Sequence, residues 1–237
     1  IGTFFILPQV LGQIQKQRQK RANSGGTLQE RVLNRYRYME AYPRLFARFK
    51  MRLDPMFPEM EQMFRSADGI KSILDVGTGY GVPACWLLER FSEARLQGVE
   101  PAPERVRVAA MAVGDRGLIA QGQAPAVPAA GGHVDLSTMI DMVHFLTDAN
   151  FAETLGRLRE RTRDDGRLII RASLLPKRRW PWSFWFQNLI LQLTRVPAYY
   201  RPIHQLQSMV VQSGFHVEQT RASGRDEELV WIVAGKA

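Results

Sequence analysis

The segment Ile73-Leu-Asp75-Val-Gly77-Thr-Gly79-Tyr-Gly81 constrains this chain more than any other stretch. A carboxylate closes a short apolar run and glycines follow at alternate positions, the pattern of a strand turning sharply into a helix. Such a turn brings backbone close to a ligand, and the first turn of the following helix offers free N–H groups to a carboxylate. A dinucleotide fingerprint needs Gly-x-Gly-x-x-Gly, yet Val82 stands where the third glycine belongs. This argues against a nicotinamide cofactor. The next apolar run, Leu96-Gln-Gly-Val-Glu100-Pro, ends in a second acid, which can accept hydrogen bonds from two adjacent ribose hydroxyls. The competing account is structural: Glu100 caps the next helix and the glycines only make a tight turn.

Apolar periodicity around this segment alternates between period 2 and period 3.6. It predicts strands over 71–76, 94–100, 117–121, 134–140 and 166–173, with helices over 81–91, 103–113 and 148–163 between them. A helix over 204–213 and strands over 215–221 and 229–234 follow. The segment 222–228 is too short for a crossover, so the final pair is an antiparallel hairpin. The expected fold is α/β: a doubly wound, mainly parallel seven-stranded sheet with an antiparallel last strand, helices on both faces and an N-terminal helical cap. Ligands bind such sheets beyond the carboxyl ends of the strands.

The remainder divides by composition. Residues 1–26 form an apolar and basic tail with a linker, 27–66 the helical cap, and 67–237 the main domain with an aromatic and basic insertion at 176–202. The opening apolar run is too short to span a bilayer, and its charge follows rather than precedes it, unlike a signal peptide. Two readings stay open, an ordinary tail or the end of a membrane segment of a longer protein. In the cap, Leu28, Val32, Leu33, Tyr36 and Met39 mark one helix, Pro43, Pro55 and Pro58 break the region into short helices, and Leu45, Phe46, Phe49 and Leu53 form a face available for burial. Basic residues outnumber acidic ones by 12 to 5 in residues 1–66 and by 8 to 4 in residues 176–237, against 12 basic and 14 acidic between them. An anionic partner would therefore meet the flanks. The single cysteine, Cys85, excludes an intrachain disulfide and a multi-cysteine zinc site, and fits a cytoplasmic location.

The stretch from Ile73 to Gly81 resembles the first motif of class I S-adenosylmethionine-dependent methyltransferases of small-molecule type, and Glu100 resembles the acid of their second strand. The resemblance continues through Val134–Leu146, Asp164–Arg171 and Ser213–Phe215, covering roughly residues 70 to 236. It implies an enzyme that uses S-adenosylmethionine, with Asp75, Gly77, Gly79 and Gly81 around the methionine moiety and Glu100 on the ribose. Pro101 or Ala102 would flank the adenine, and in the segment Gln121-Gly-Gln123-Ala124, also cofactor-binding, Gln123 would stand where the family commonly places an aspartate facing the adenine amine. No metal site is implied. The strand-four and strand-five segments also look like methyltransferase domains fused to bacterial membrane exporters, a resemblance that implies a cytoplasmic domain at the inner face of a membrane.

A methyl acceptor that must lose a proton needs a base near the reacting atom. Asp141 and His144, just past strand four, are the leading candidates, followed by His204 and Tyr36 or Tyr38. Trp180, Trp182 and Trp185 beside Lys177, Arg178 and Arg179 suit either a lid over an apolar substrate or a membrane interface. The expected activity is methyl transfer to a small aromatic or lipid-like acceptor. An RNA methyltransferase using the basic flanks, and a domain that binds cofactor or partner without catalysis, are the alternatives.

Overall fold

A computed structural model of the chain describes residues 26–67, 69–128, 132–174, 197–224 and 228–237. The expectations for the opening tail and for Trp180, Trp182 and Trp185 lie outside the described residues.

Seven strands form one sheet: β1 (Ser72–Val76), β2 (Arg95–Glu100), β3 (Gly117–Gln121), β4 (Val134–Ile140), β5 (Thr162–Ser173), β6 (Phe215–Ala222) and β7 (Leu229–Lys236). Their spatial order is β3-β2-β1-β4-β5-β7-β6. The first five strands pair in parallel, while β7 is antiparallel to both β5 and β6, as the short 222–228 connection requires. The order reverses between β1 and β4, so their carboxyl ends flank the crevice where a doubly wound sheet takes its ligand.

Alternation along the strands supplies two buried faces. Ile73, Leu96, Leu136, Ile169 and Val233 pack under α1 (Leu28–Arg35), α2 (Ala41–Leu53), α3 (Met56–Met63), α4 (Val82–Arg90) and α5 (Pro103–Val113). On the other face, Leu74, Val76, Met139, Leu168 and Ile232 pack under α6 (Asp148–Arg161) and α7 (Ile203–Gln212). Strand β5 begins at Thr162 rather than 166, because Thr162 pairs with Val134 across an irregularity in the β4–β5 register. Among the described residues, no helix is long and apolar enough to cross a membrane.

Helix α1 starts at a reciprocal cap: Thr27 Oγ1 accepts from the Glu30 N–H, and Glu30 Oε2 accepts from the Thr27 N–H at 2.7 Å. Helix α2 corrects the sequence reading. Its buried side is Pro43, Ala47 and Met51, whereas Leu45, Phe49 and Leu53 face solvent and Phe46 is half-buried. Polar contacts decide the rotation. Lys50 Nζ reaches Asp141 Oδ2 at 2.8 Å, and Asp54, at the helix end, accepts from Arg171 Nη2 at 2.8 Å. With those two residues turned inward, the Leu45–Phe49–Leu53 side must point out.

Arg171, at the carboxyl end of β5, is 1% exposed. Its guanidinium donates to Asp54, to both oxygens of Asp141 and, at 2.9 Å, to Ser223 Oγ. Ser223 Oγ in turn donates to Glu59 at 2.6 Å, and Glu59 also accepts from Trp231 Nε1 at 2.7 Å. Burial alone would raise the Asp54 pKa, but Lys50 and Arg171 hold it below the usual carboxylate value. A depressed carboxylate pKa contributes stability above the unfolded value and loses it as pH falls. Replacing Arg171 by Leu leaves Lys50 as the one cation that Asp54 and Asp141 share among the described residues. Urea unfolding at neutral pH should therefore show a loss of about 3–5 kcal/mol. The deficit should shrink as the pH falls through the depressed Asp54 value and that carboxylate protonates.

Candidate functional site

The turn after β1 is held against β2: the N–H groups of Gly77 and Thr78 both donate to Val99 O, at 2.9 and 3.1 Å. Gly77, Gly79 and Gly81 all have positive φ, near 79°, 58° and 81°. The first two need glycine for different reasons. A Cβ on Gly77 would come within 2.8 Å of the Met142 side chain, so this glycine permits packing against the loop after β4. A Cβ on Gly79 would meet nothing within 4 Å. Its bare backbone borders open space, the cradle that a closely bound ligand needs.

Two carboxylates lie beneath this backbone. Asp75 is 3% exposed and accepts from Thr138 Oγ1 at 2.6 Å, its neighbour in register across the β1–β4 pair. Glu100, also 3% exposed, accepts from the Gly79 N–H at 2.9 Å and from the Ala102 N–H at 3.2 Å. The Ala102 bond steadies the turn that leads into α5, but the helix itself has no side-chain cap, so Glu100 does not fill the capping role that the structural account gives it. A carboxylate has about four lone-pair sites, so two acceptor positions remain on Glu100. Arg105 approaches Glu100 only to 3.8 Å and is half exposed. Burial pushes the Asp75 carboxyl up from 3.8 to about 6; the Thr138 hydroxyl opposes the rise and the Glu100 charge adds to it. The crevice therefore has an excess of negative charge.

Pro101 follows Glu100 on the exposed surface. Gln123 is exposed in the loop after β3, and its carbonyl accepts from the Ala126 N–H at 3.0 Å, while the adjacent Ala124 is buried.

Beyond β4, Asp141 adopts a left-handed conformation, φ 56°, unusual for a residue with a side chain. The turn brings its carboxylate back onto Lys50 and Arg171, so both oxygens are engaged by cations. His144 lies three residues further on. Its Nδ1 is buried and has no hydrogen-bond partner among the described residues. Burial lowers its pKa from the ordinary 6.5, with a partial offset from the Asp141 charge. The imidazole stacks on Tyr200, ring centroids 5.7 Å apart, and lies against Phe145. The other candidate bases are elsewhere engaged or exposed. Tyr36 is buried and donates to Tyr80 O at 2.8 Å, whereas Tyr38 and His204 are exposed. Cys85 is buried, and burial raises its thiol pKa.

Lys50, Thr138, Arg171 and Tyr200 complete this end of the sheet without having been singled out by motif. The one sequence signal is Arg171 itself, a charge ending the apolar run Leu168-Ile-Ile, which demands buried partners. Cavities of about 610 and 430 Å³, beside His133 and beside Asp135, lie toward the amino ends of the strands, opposite the glycine turn.

Residues 73–166 match the family model described as a methyltransferase domain. The fold is similar to that of the pyocyanin biosynthetic protein PhzM, with TM-score 0.64 and 20% identity over 86% of this chain and 60% of that one. It is also similar to mitomycin 7-O-methyltransferase MmcR, with TM-score 0.63 and 19% identity over 95% of this chain and 67% of the other. A third similar structure is geranyl diphosphate C-methyltransferase from Streptomyces coelicolor A3(2) in complex with S-adenosyl-L-homocysteine. There the TM-score is 0.61 and the identity 11%, over 76% of this chain and 79% of that one. No curated protein matches the sequence significantly. The chain thus spans about 60% of the length of PhzM, and at these identities the likeness is one of fold.

The raised pKa of Asp75 has a measurable consequence. A group whose pKa is raised by folding contributes stability below its unfolded value and loses it as pH rises through the folded one. Asp75→Asn keeps an oxygen for Thr138 but cannot ionise. Between 3.8 and about 6 the variant should gain on the wild type. At about 1.4 kcal/mol per unit the gain is about 3 kcal/mol, flat at higher pH. Urea unfolding across this range reads it; parallel stability curves would mean that Asp75 is not buried.

Proposed function

We propose that this chain, an S-adenosylmethionine-dependent methyltransferase of class I, methylates a small aromatic or lipid-like acceptor held beyond the carboxyl ends of β4 and β5. The observation that carries this reading is the pair of buried carboxylates, Asp75 and Glu100, beside the open backbone of Gly79. S-adenosylmethionine carries a net positive charge and supplies an activated methyl group on its sulfonium. The charge suits a crevice in which, among the described residues, Asp75 forms no ion pair and Glu100 has only the half-exposed Arg105 at 3.8 Å. The free acceptor positions of Glu100 suit the paired hydroxyls of a ribose. Gly77, Gly79 and Gly81 let the turn wrap the methionine moiety, and the α4 N-terminus, with Gly81 as its cap residue, faces the carboxylate. Pro101, Gln123 and Ala124 border the position of the adenine, where the Gln123 amide oxygen can accept from the amine.

Little side-chain chemistry is compulsory in methyl transfer; alignment and exclusion of water do most of it. A phenolic or acidic acceptor must still lose a proton. His144 is suited to take it, being held neutral by burial. Asp141 serves as a strut: it ties Lys50 of α2 to Arg171 of β5 and adds negative charge near the imidazole. The aromatic surroundings, Phe145 and Tyr200, suit a flat or apolar acceptor.

The test is transfer of labelled methyl from S-adenosylmethionine to a panel of phenols, hydroxylated polycyclic aromatics and isoprenoid alcohols or acids. At least one class should accept label. On a phenol, His144→Ala should lower kcat by about 10²–10⁴ with cofactor affinity unchanged. Wild-type activity should hold down to the ordinary histidine value of 6.5 and decline only below it, since protonation of His144 occurs at lower pH. Label entering RNA and none of the panel would overturn the acceptor class.

A further inference from the structure

Five large apolar side chains that the described residues leave exposed lie together on the cap: Tyr38, Tyr42, Leu45, Phe49 and Leu53, between 43% and 72% exposed. The last four are on α2. At 3.6 residues per turn they fall within about 80° of arc, one continuous ridge. Arg44, Arg48 and Arg52 are exposed along one flank of it. Residues 41–53 contain no Asp or Glu, and none of these three arginines forms an ion pair among the described residues. The opposite side of the helix, Pro43, Ala47 and Met51, is buried, and beside the ridge Lys50 on Asp141 and Phe46 on Tyr80, ring centroids 5.1 Å apart, hold the helix against the core. The ridge therefore cannot roll into the core.

We propose that α2 is a docking ridge for an anionic lipid bilayer. A helix with an apolar face and an unpaired basic flank lies in the plane of a membrane interface, its apolar side among the upper acyl carbons. Arginine suits the flank because its long stem lies along apolar surface while the guanidinium binds headgroup phosphate bidentately. Charge complementarity selects this occupant over a second copy of the chain, which would bring like-charged arginine flanks together. Solvent alone leaves an apolar ridge of this kind uncovered, and such patches mark interaction sites. The inference is independent of the methyl-transfer reading.

Co-sedimentation of the full chain with phosphatidylcholine vesicles, with and without phosphatidylglycerol, tests it without any acceptor. The wild type should partition onto the phosphatidylglycerol vesicles, weakly onto pure phosphatidylcholine, and less as salt rises. Phe49→Ser with Leu53→Ser, and separately Arg44→Gln with Arg48→Gln, should each reduce partitioning by about tenfold or more. Both pairs are solvent-exposed, so the thermal transition should stay in place and confirm that each variant is folded. Three results would overturn the proposal. One is a folded wild type that does not partition. Another is partitioning that survives both double variants, including binding that depends on Trp180, Trp182 and Trp185 instead. The third is a lipid-free dimer, made monomeric by Phe49→Ser with Leu53→Ser, that ignores vesicles.

Discussion

The guanidinium of Arg171, removed from water at the carboxyl end of β5, sets the geometry around it. An ion so buried costs several kcal/mol unless it is fully paired, and its partners come from separate parts of the chain. Asp54 reaches it from the end of α2, Asp141 from the turn after β4, and Ser223 from the segment joining β6 to β7. The cap helices cannot lift from the sheet without exposing or stranding that charge. The left-handed turn at Asp141 belongs to the same constraint, since it directs the carboxylate back toward Arg171 and sends the chain on to His144. The position of the candidate base is thus a consequence of how a buried cation is neutralised.

The two halves of the crevice have opposite electrostatic solutions. On the β4–β5 side, Asp141 and Asp54 are matched by Lys50 and Arg171. On the β1–β2 side, Asp75 and Glu100 are met by hydroxyl and backbone N–H donors, with Arg105 at 3.8 Å as the nearest cation to Glu100. That imbalance costs folding free energy at neutral pH, and a cationic ligand would relieve it. A binding site under this kind of strain and a scaffold free of it commonly coexist in one fold.

Much of this was legible in the sequence because local signals and tertiary packing agree. The buried strands read as apolar runs ending at Val76, Glu100 and Ile140, and the glycine turn carries its own conformational demand. Helix α2 was not legible in the same way. Leu45, Phe49 and Leu53 score as a better core face than Pro43, Ala47 and Met51. The choice between the two was made by Lys50 and Asp54, whose partners lie about a hundred residues away. Thr138 under Asp75 was hidden for the same reason: the contact depends on β1–β4 register, which no local pattern encodes. Arg171 gave a partial signal, since a charge closing an apolar strand implies partners without naming them.

The central claim is that the acids beneath Gly79 form a site for S-adenosylmethionine. Calorimetric titration of S-adenosylmethionine into the full chain, beside Glu100→Ala and Asp75→Ala, addresses it most directly. The account predicts saturable binding to the wild type, weakened at least about tenfold in Glu100→Ala by loss of two charged hydrogen bonds. Wild-type affinity should also fall as pH drops through about 6 and Asp75 becomes neutral. A folded wild type that shows no saturable binding, or one whose affinity is unchanged in both variants, would contradict it.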